Sequence, residues 1–354
     1  MDLTKITLPT FILERRSGLE MYADFLAHAD LWVEIGRGQT PFNRFFAALR
    51  WYLSAFHAGR KSDIAKKPYN PILGEIFRCY WKVPHKRDPA QASEKAAARS
   101  EDHPVNWAPD DAVIFLAEQV SHHPPVSAFY AEYPLLHMTL QGTLYTKSKF
   151  LGVSVAVDMI GDTEIHLLDH DEKYILNFPS GYGRNIFNVP WIELAGKCKL
   201  TCDKTGYQAT IEFKAKPFFS SQKNLVYVEA FGPNDKKPIF TIEGEWNREM
   251  VVKHANGKSE VFFDVATYPL VPKSVRPRSE QSSNESRKLW EDVTYFLGNN
   301  DITLATNAKS TLEQKQRTEA KQRRDENVEW NPKYFEKVTD TVWSYKNPLN
   351  IQTS

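Results

Sequence analysis

A mainly β protein with helical segments at both ends, its strands closed into a sandwich or a barrel, is the architecture this sequence predicts. Three observations carry it. From about Asn70 to Tyr268, short apolar or alternating segments succeed one another with turn residues between them. The stretches on either side switch to helical spacing. Hydrophobic residues make up 42% of the chain and aromatic ones 13%, enough large side chain for one large core or two modest ones. With so many strands, closure into a barrel removes the unpaired edges that an open sheet exposes.

In chain order, the sequence opens on “ITLPTFIL”, apolar and interrupted by proline, which reads either as a tail packed on the core or as a mobile lid. “SGLEMYADFLAHADLW” follows as a helix: Ser17 and Glu20 have capping-box spacing, and Leu19, Tyr22 and Leu26 recur on one face. “FNRFFAALRWYLSAFHAG” repeats the pattern with Phe45, Leu49, Tyr52 and Phe56, and Gly59 marks its stop. The strand region then includes “AVIFLAEQV”, “GVSVAVDM”, “KYILNF”, “ATIEFKA”, “VYVEAF” and “IFTIEGEW”. “MVVKHA” and “KSEVFFDV” flank Asn256-Gly257, the signal for a two-residue hairpin. Residues 85–111, “HKRDPAQASEKAAARSEDHPVNWAPDD”, are polar with little periodicity and read as a long surface excursion. Helical spacing returns in “SRKLWEDVTYFL” and in the highly charged “NAKSTLEQKQRTEAKQRRDENVEW”.

Composition narrows the function. Lys+Arg 45 against Asp+Glu 44 lacks the basic excess of a dedicated nucleic-acid binder, so any anion must be met locally. Cys79, Cys198 and Cys202 are an odd number without paired metal-ligand spacing, consistent with reduced thiols in the cytosol. The amino terminus lacks a basic n-region and a cleavage site, and no apolar run is long enough to span a bilayer. If this protein handles membranes, it does so from the water side.

Chemistry concentrates in “EQVSHHPPVSAFY”. His122 and His123 invite three readings: metal ligands, acid and base, or donors to an anion. Neighbours on a strand point to opposite faces, and no HExxH or carboxylate companion follows, which disfavours zinc. Ser121 sits in no GxSxG elbow, and no Walker or Rossmann glycine loop occurs, so neither hydrolysis nor nucleotide binding is indicated. An ordinary strand end stopped by proline is the plain alternative. Two further clusters bear on the choice. “AKKPYNPILGE” holds Lys67 and Asn70 on stiff, proline-flanked backbone. Lys309, Glu313 and Arg317 recur every four residues, drifting only about 80° around a helix. They are either one functional face or a solvated row of i,i+4 pairs.

With “EQVSHHPP”, “LPTFIL”, “KKPYNPILGE”, “ESRKLW” and the late charged helix in this order, nearly the whole chain resembles the oxysterol-binding-protein-related lipid-transfer family. “LEMYADF”, “WYLSAFHAGRK”, “NFPSGYGRNIFNVPWIEL” and “CDKTGY” are most similar to its subgroup of members nine, ten and eleven. The resemblance implies a near-closed antiparallel barrel around an apolar lipid tunnel, forming one lipid-binding domain over residues 1–354. Its parts would be a lid (1–13, with Leu8, Phe11, Ile12 and Leu13), amino-terminal helices (14–66), the barrel (67–268) and a carboxy-terminal helical region (269–354).

It implies that His122, His123 and Arg317 bind the phosphomonoester of phosphatidylinositol 4-phosphate, with Lys67 and Asn70 nearer the glycerol phosphate and Lys309 and Glu313 on the inositol ring. It also implies a cytoplasmic, peripheral, non-enzymatic carrier without cofactor. Such a carrier exchanges this lipid for a second, phosphatidylserine before sterol, between membranes at organelle contact sites; a sensor that binds without transporting, or a hydrolase using the histidines, is the alternative. The physics agrees with those roles. A phosphomonoester carries about −1.5 to −2 charges and needs several charge-assisted bonds. Two acyl chains cost on the order of 20 kcal/mol in water and must be enclosed. Two decoys fit less well. “EVFFDVAT”, Glu260 to Thr267, resembles a receptor-binding acidic motif of some family members but reads as core. Lys147 and Lys149 of “TKSKF” read as a solvated strand face before a contact with anionic lipid.

Overall fold

The computed structural model describes residues 13–59, 66–83, 102–185, 190–216 and 222–350. A short strand β1 (Leu13–Ser17) leads into helices α1 (Gly18–Tyr22), α2 (Ala29–Arg37) and α3 (Pro41–Ala58). Strands β2 (Lys67–Tyr69), β3 (Ile76–Lys82), β4 (Ala112–His122), β5 (Pro125–Tyr133) and β6 (Met138–Phe150) follow. Then come β7 (Val155–Ile160), β8 (Thr163–Leu167), β9 (Glu172–Leu176), β10 (Ser180–Arg184), β11 (Trp191–Cys202) and β12 (Tyr207–Phe213). The run closes with β13 (Leu225–Phe231), β14 (Phe240–Glu245), β15 (Glu249–His254), β16 (Ser259–Asp264) and β17 (Lys273–Ser274). The carboxy-terminal part holds α4 (Ser286–Leu289), α5 (Glu291–Gly298), α6 (Ile302–Asp325) and a hairpin of β18 (Phe335–Lys337) and β19 (Trp343–Tyr345).

Fifteen strands form one antiparallel sheet, running from β16 through β15, β14, β13, β12, β11, β10, β7, β6, β5 and β4 to β3 and β17. It forks in the middle: β6 pairs with β7 through Tyr145 to Phe150 and with β8 through Met138 to Gly142. Likewise β11 pairs with β10 at one end and with β9 at the other. Among the described residues β16 and β17 do not pair with each other, so the barrel is near-closed. The β4–β5 and β6–β7 turns lie at one end of the sheet, while the β5–β6 and β8–β9 connections lie at the other and touch through Leu168 N–H and His137 O.

Alternation along the strands sends one set of side chains inward, where Phe77, Trp81, Phe115, Phe129, Ile165, Tyr174, Leu200, Ile211, Val228 and Ile242 form the main core with α1, α2 and α3. Helix α3 begins where Thr40 Oγ1 accepts from Asn43 N–H at 3.1 Å and Pro41 opens the first turn. Arg44 in that turn makes a fork to Glu172 on β9, at 2.8 and 2.5 Å, and Tyr174 donates to the same carboxylate at 2.9 Å. The ion pair is buried and hydrogen-bonded on both sides, so its loss would leave an uncompensated charge. A second core lies outside β3–β6, where Ile114, Leu116, Val126, Ala128 and Tyr130 pack against Phe335 and Tyr345 of the carboxy-terminal hairpin.

Several expectations are corrected. The helix expected over 17–32 breaks into α1, a 3-10 turn (Ala23–Leu26) and α2. Ser17 does cap α1, but Glu20 does not close a capping box: Arg287 and Lys273 hold its buried carboxylate. Such a bond outcompetes an exposed backbone N–H because both partners are charged. The hairpin at Asn256-Gly257 has a three-residue connection, Ala255 to Gly257, with His254 N–H donating to Lys258 O and Gly257 at φ 87°, the left-handed bulge position. The excursion's described end is not merely polar surface: Val105 and Ala108 are buried, and the Trp107 ring lies 4.8 Å from both the Arg78 and Arg276 guanidiniums. The carboxy-terminal region is not all helical, since β18 and β19 pair in it, and “SRKLWEDVTYFL” divides at Trp290. Phe262 and Phe263 of “EVFFDVAT” are buried in the main core.

Candidate functional site

Strand β4 ends at His122, which pairs with Pro125 at the start of β5, so His123 and Pro124 form the turn. A register shift between Gln119 and Ser121 marks a bulge just before it. Gln119 holds that bulge with its side chain, donating to Ser121 O at 2.8 Å and accepting from Ser127 Oγ at 2.6 Å. The expectation that the two histidines face opposite ways therefore fails. The strand has ended, and the rings meet edge-to-face with centroids 4.7 Å apart.

His122 Nδ1 lies 3.1 Å from Pro71 O. A carbonyl only accepts, so Nδ1 carries the proton, and Nε2 becomes a second donor when the ring takes another. Burial, and then repulsion from His123, push the His122 pKa below its usual value, while the Pro71 bond and the Glu313 carboxylate pull it up.

Pro71 belongs to the segment carrying Lys67 and Asn70. β2 lies parallel to β1, with Leu13 opposite Lys67. The segment then turns inward to Glu75, whose buried carboxylate accepts from Ile72 N–H at 2.9 Å, Ser286 Oγ at 2.7 Å and Trp290 Nε1 at 2.9 Å. Burial pushes the Glu75 carboxyl up against these hydrogen bonds. Its neighbour Gly74 has φ 77°, and a Cβ there would meet Trp330 at 2.4 Å. Asn70 is exposed, one residue from the carbonyl that orients His122.

Helix α6 completes the group. Asp301 caps it by accepting from Leu304 N–H at 2.9 Å. Ala308 and Leu312 pack on the small core of Leu13, Tyr69, Trp290 and Val293, which sets Lys309 and Glu313 beside β2. Lys309 Nζ bonds Glu313 at 2.5 Å, and Arg317 approaches the same carboxylate at 3.8 Å from a largely exposed position. Lys67 is exposed yet crowded by protein on one side, so partial desolvation first, and then repulsion from Lys309, lower its pKa, with Glu313 opposing. Glu313 thus acts electrostatically on Lys67, Lys309, Arg317 and His122, and Lys309 acts on Lys67 as well. Three cations against one carboxylate leave an excess of two positive charges beside the imidazoles, an arrangement suited to an anion.

Leu13 is at the rim of this group; Leu8, Phe11 and Ile12 lie outside the described residues. Sequence reasoning missed Pro71, Glu75, Glu118 and Gln119. Glu118 is buried, and its carboxylate accepts from Lys333 and Tyr334 N–H at 2.7 and 2.8 Å, fastening the carboxy-terminal strap to the strand that carries the histidines. The available signal was an acid inside an apolar run, which burial makes costly unless it has partners.

The site so defined is a group of cations and imidazoles gathered at one end of an antiparallel sheet curled around an apolar interior. The chain belongs to the oxysterol-binding protein family, whose pattern matches residues 1–297 and 292–353. It is 52% identical over 349 residues to oxysterol-binding protein-related protein 9 of Xenopus tropicalis, covering 99% of this chain and 46% of that protein. Identity is 46% to the human related protein 10 and 43% to the human related protein 11, each over 99% of this chain and covering 46% and 48% of those proteins. The chain spans about half the length of the curated relatives it matches. Among solved structures, the Osh1 ORD domain in complex with cholesterol superposes with TM-score 0.75 at 21% identity, covering 98% of this chain and 84% of that one. The Osh3 ORD in complex with PI(4)P from Saccharomyces cerevisiae superposes with TM-score 0.72 at 20% identity, covering 98% and 87%. These likenesses establish the fold.

Proposed function

We propose that residues 1–354 form one lipid-transfer domain that extracts phosphatidylinositol 4-phosphate and exchanges it for a second lipid, phosphatidylserine before sterol, between membranes it touches peripherally from the cytoplasm. The observation that carries the reading is the convergence of the His122–His123 turn, Lys67 and the Lys309–Glu313 pair at one end of the apolar-lined sheet. Complexes of fold neighbours with cholesterol and with PI(4)P support it.

In this reading His122, His123 and Arg317 bind the phosphomonoester, Lys309 and Glu313 the inositol ring, and Lys67 and Asn70 the glycerol phosphate. Glu313 holds Lys309 and Arg317 until the dianion arrives. Arg317 then turns its fork onto phosphate, and protonation of His122 adds a donor. The acyl chains lie in the interior beside the stacked Tyr22, Phe129 and Phe115 rings. Exchange follows because both lipids need the same space. The chemistry is binding, without catalysis or cofactor.

A second reading, a phosphoinositide sensor, draws on the exposure of Lys67, Asn70 and His123, which a headgroup could reach with its chains still in the bilayer. Native mass spectrometry separates the two after incubation with vesicles of phosphatidylinositol 4-phosphate, phosphatidylserine and sterol and removal of the vesicles. A one-to-one phosphoinositide complex displaced by one of the other lipids supports exchange and names the second cargo. Vesicle binding that yields only empty protein supports the sensor.

A further inference from the structure

Strands β6 and β7 are joined by a tight turn in which Leu151 N–H donates to Ser154 O at 2.8 Å, leaving Gly152 and Val153 at the tip. Gly152 has φ 79°, as the first central position of such a two-residue hairpin requires. A Cβ added to it would meet nothing within 4 Å, so the tip stands clear of the described protein. Yet its side chains are apolar: Leu151 is 50% exposed and Val153 62%. Ile160, on the same hairpin, is also exposed.

Behind the tip, Lys147 and Lys149 are exposed on β6. Across the hairpin Asp158 pairs with Lys149 at 3.2 Å, so two lysines against one acid leave a net positive charge. The register fixes where this hairpin points. Val126, next to the histidine turn, lies opposite Tyr145, and β6 then continues five residues to Phe150. At about 3.3 Å per residue, the hairpin overhangs the His122–His123 turn by roughly 15 Å along the strand. The apolar tip thus projects past the same end of the sheet that holds the anion-suited group.

We infer that the β6–β7 hairpin is a membrane-docking element: Leu151 and Val153 enter the headgroup boundary of an anionic bilayer, and Lys147 and Lys149 meet its lipid phosphates. Exposed aliphatic residues at a protruding turn, backed by lysines, combine the two terms that hold a peripheral protein on such a surface. Docking here would bring the histidine turn towards the leaflet from which a headgroup is taken. That consequence rests on the proposed function; the docking itself does not.

The test attaches an environment-sensitive fluorophore to Leu151→Cys, with Val261→Cys, an exposed position on β16, as the control; the three native cysteines are buried. Vesicles of phosphatidylcholine with phosphatidylserine, free of phosphoinositide, should shift emission to the blue at 151 and not at 261. Replacing phosphatidylserine by phosphatidylcholine, or introducing Lys147→Glu with Lys149→Glu, should weaken the shift. No shift at 151 while the protein co-sediments with these vesicles overturns the inference.

In a second arm, Leu151→Asp with Val153→Asp should slow phosphoinositide extraction from vesicles about tenfold while leaving uptake of a water-soluble short-chain phosphoinositide unchanged. Unchanged vesicle extraction in that variant overturns the inference. Failure of the parent protein to take up the short-chain lipid counts against the proposed function, and the fluorescence arm still decides docking. A tip that shifts emission only with an added protein partner, and never with lipid, also overturns it.

Discussion

Two histidine pairs stand among the described residues, and they are opposites. His28 and His57 meet between the start of α2 and the last turn of α3, Nε2 to Nε2 at 2.7 Å, with the Phe263 ring against both. His122 and His123 meet at an open turn, facing cations and one carboxylate. Burial lowers the pKa of His28 to about 4, and burial with repulsion from His28 does the same for His57. Inside, two imidazoles share one hydrogen bond as neutral rings, and the Asp30 carboxylate stands 4.0 Å from His28 Nδ1, beyond hydrogen-bond reach. At the turn, the Pro71 carbonyl fixes one ring and leaves its other nitrogen for a ligand. Ring proximity alone therefore says nothing of function; what surrounds the second nitrogen does.

The largest expected break in this comparison comes from His122→Ala with His123→Ala. Two charge-assisted hydrogen bonds at about 1.5–3 kcal/mol each imply at least a hundredfold loss of phosphoinositide uptake. The thermal unfolding temperature should fall only slightly, because His123 is exposed and His122, half-buried, gives up one bond to Pro71; normal extraction by this variant would end the headgroup assignment.

His28→Ala should do the reverse. It empties a fully buried ring site and orphans His57, costing roughly 3 kcal/mol in denaturant unfolding with headgroup affinity intact. A variant as stable as the parent would show the inner pair to be dispensable.

Acid sharpens the contrast. Both inner rings have folded values below the unfolded imidazole value, so the unfolded chain takes up protons first. Stability is whole above about pH 6.5 and falls as pH drops from there towards 4, by on the order of 3 kcal/mol for each ring. In His28→Leu this part of the pH dependence should flatten, and an unchanged slope would place it elsewhere.

At the outer pair the sign reverses for binding. A phosphate dianion raises the depressed His122 pKa, so binding takes up a proton and affinity should grow as pH falls from 8 to 6.5, by about severalfold. Equilibrium titrations with His122→Gln should show no such gain. Smallest of all, Arg317→Lys keeps the charge but loses the fork, for a few-fold weaker binding in the same titration.

How much of this was legible in the sequence depended on whether the signal was local. Strand periodicity marked the sheet because alternation follows directly from the inward and outward faces, and the “EQVSHHPP” fingerprint with its companions named the family. The break in the first helix was hidden because its cause is distant: Glu20 is drawn to Arg287 and Lys273, far along the chain. The approach of His122 to Pro71, and of Glu118 to the strap, likewise depends on contacts between segments that no window of residues contains. The carboxy-terminal hairpin escaped because each of its strands has only three residues, too few for a period to show.

Glu118, Gln119 and His122 stand within five positions of one another, yet each answers to a different part of the chain: the strap, the neighbouring strand and the Pro71 backbone. The Pro71 segment is moored in turn by Glu75 to Ser286 and Trp290. Transplanting the eight-residue fingerprint into an unrelated barrel would therefore deliver two histidines without their aim. A graft that works must carry the proline-rich segment, the “ESRKLW” helix start and the strap together, which makes the smallest portable binding unit a large share of the domain.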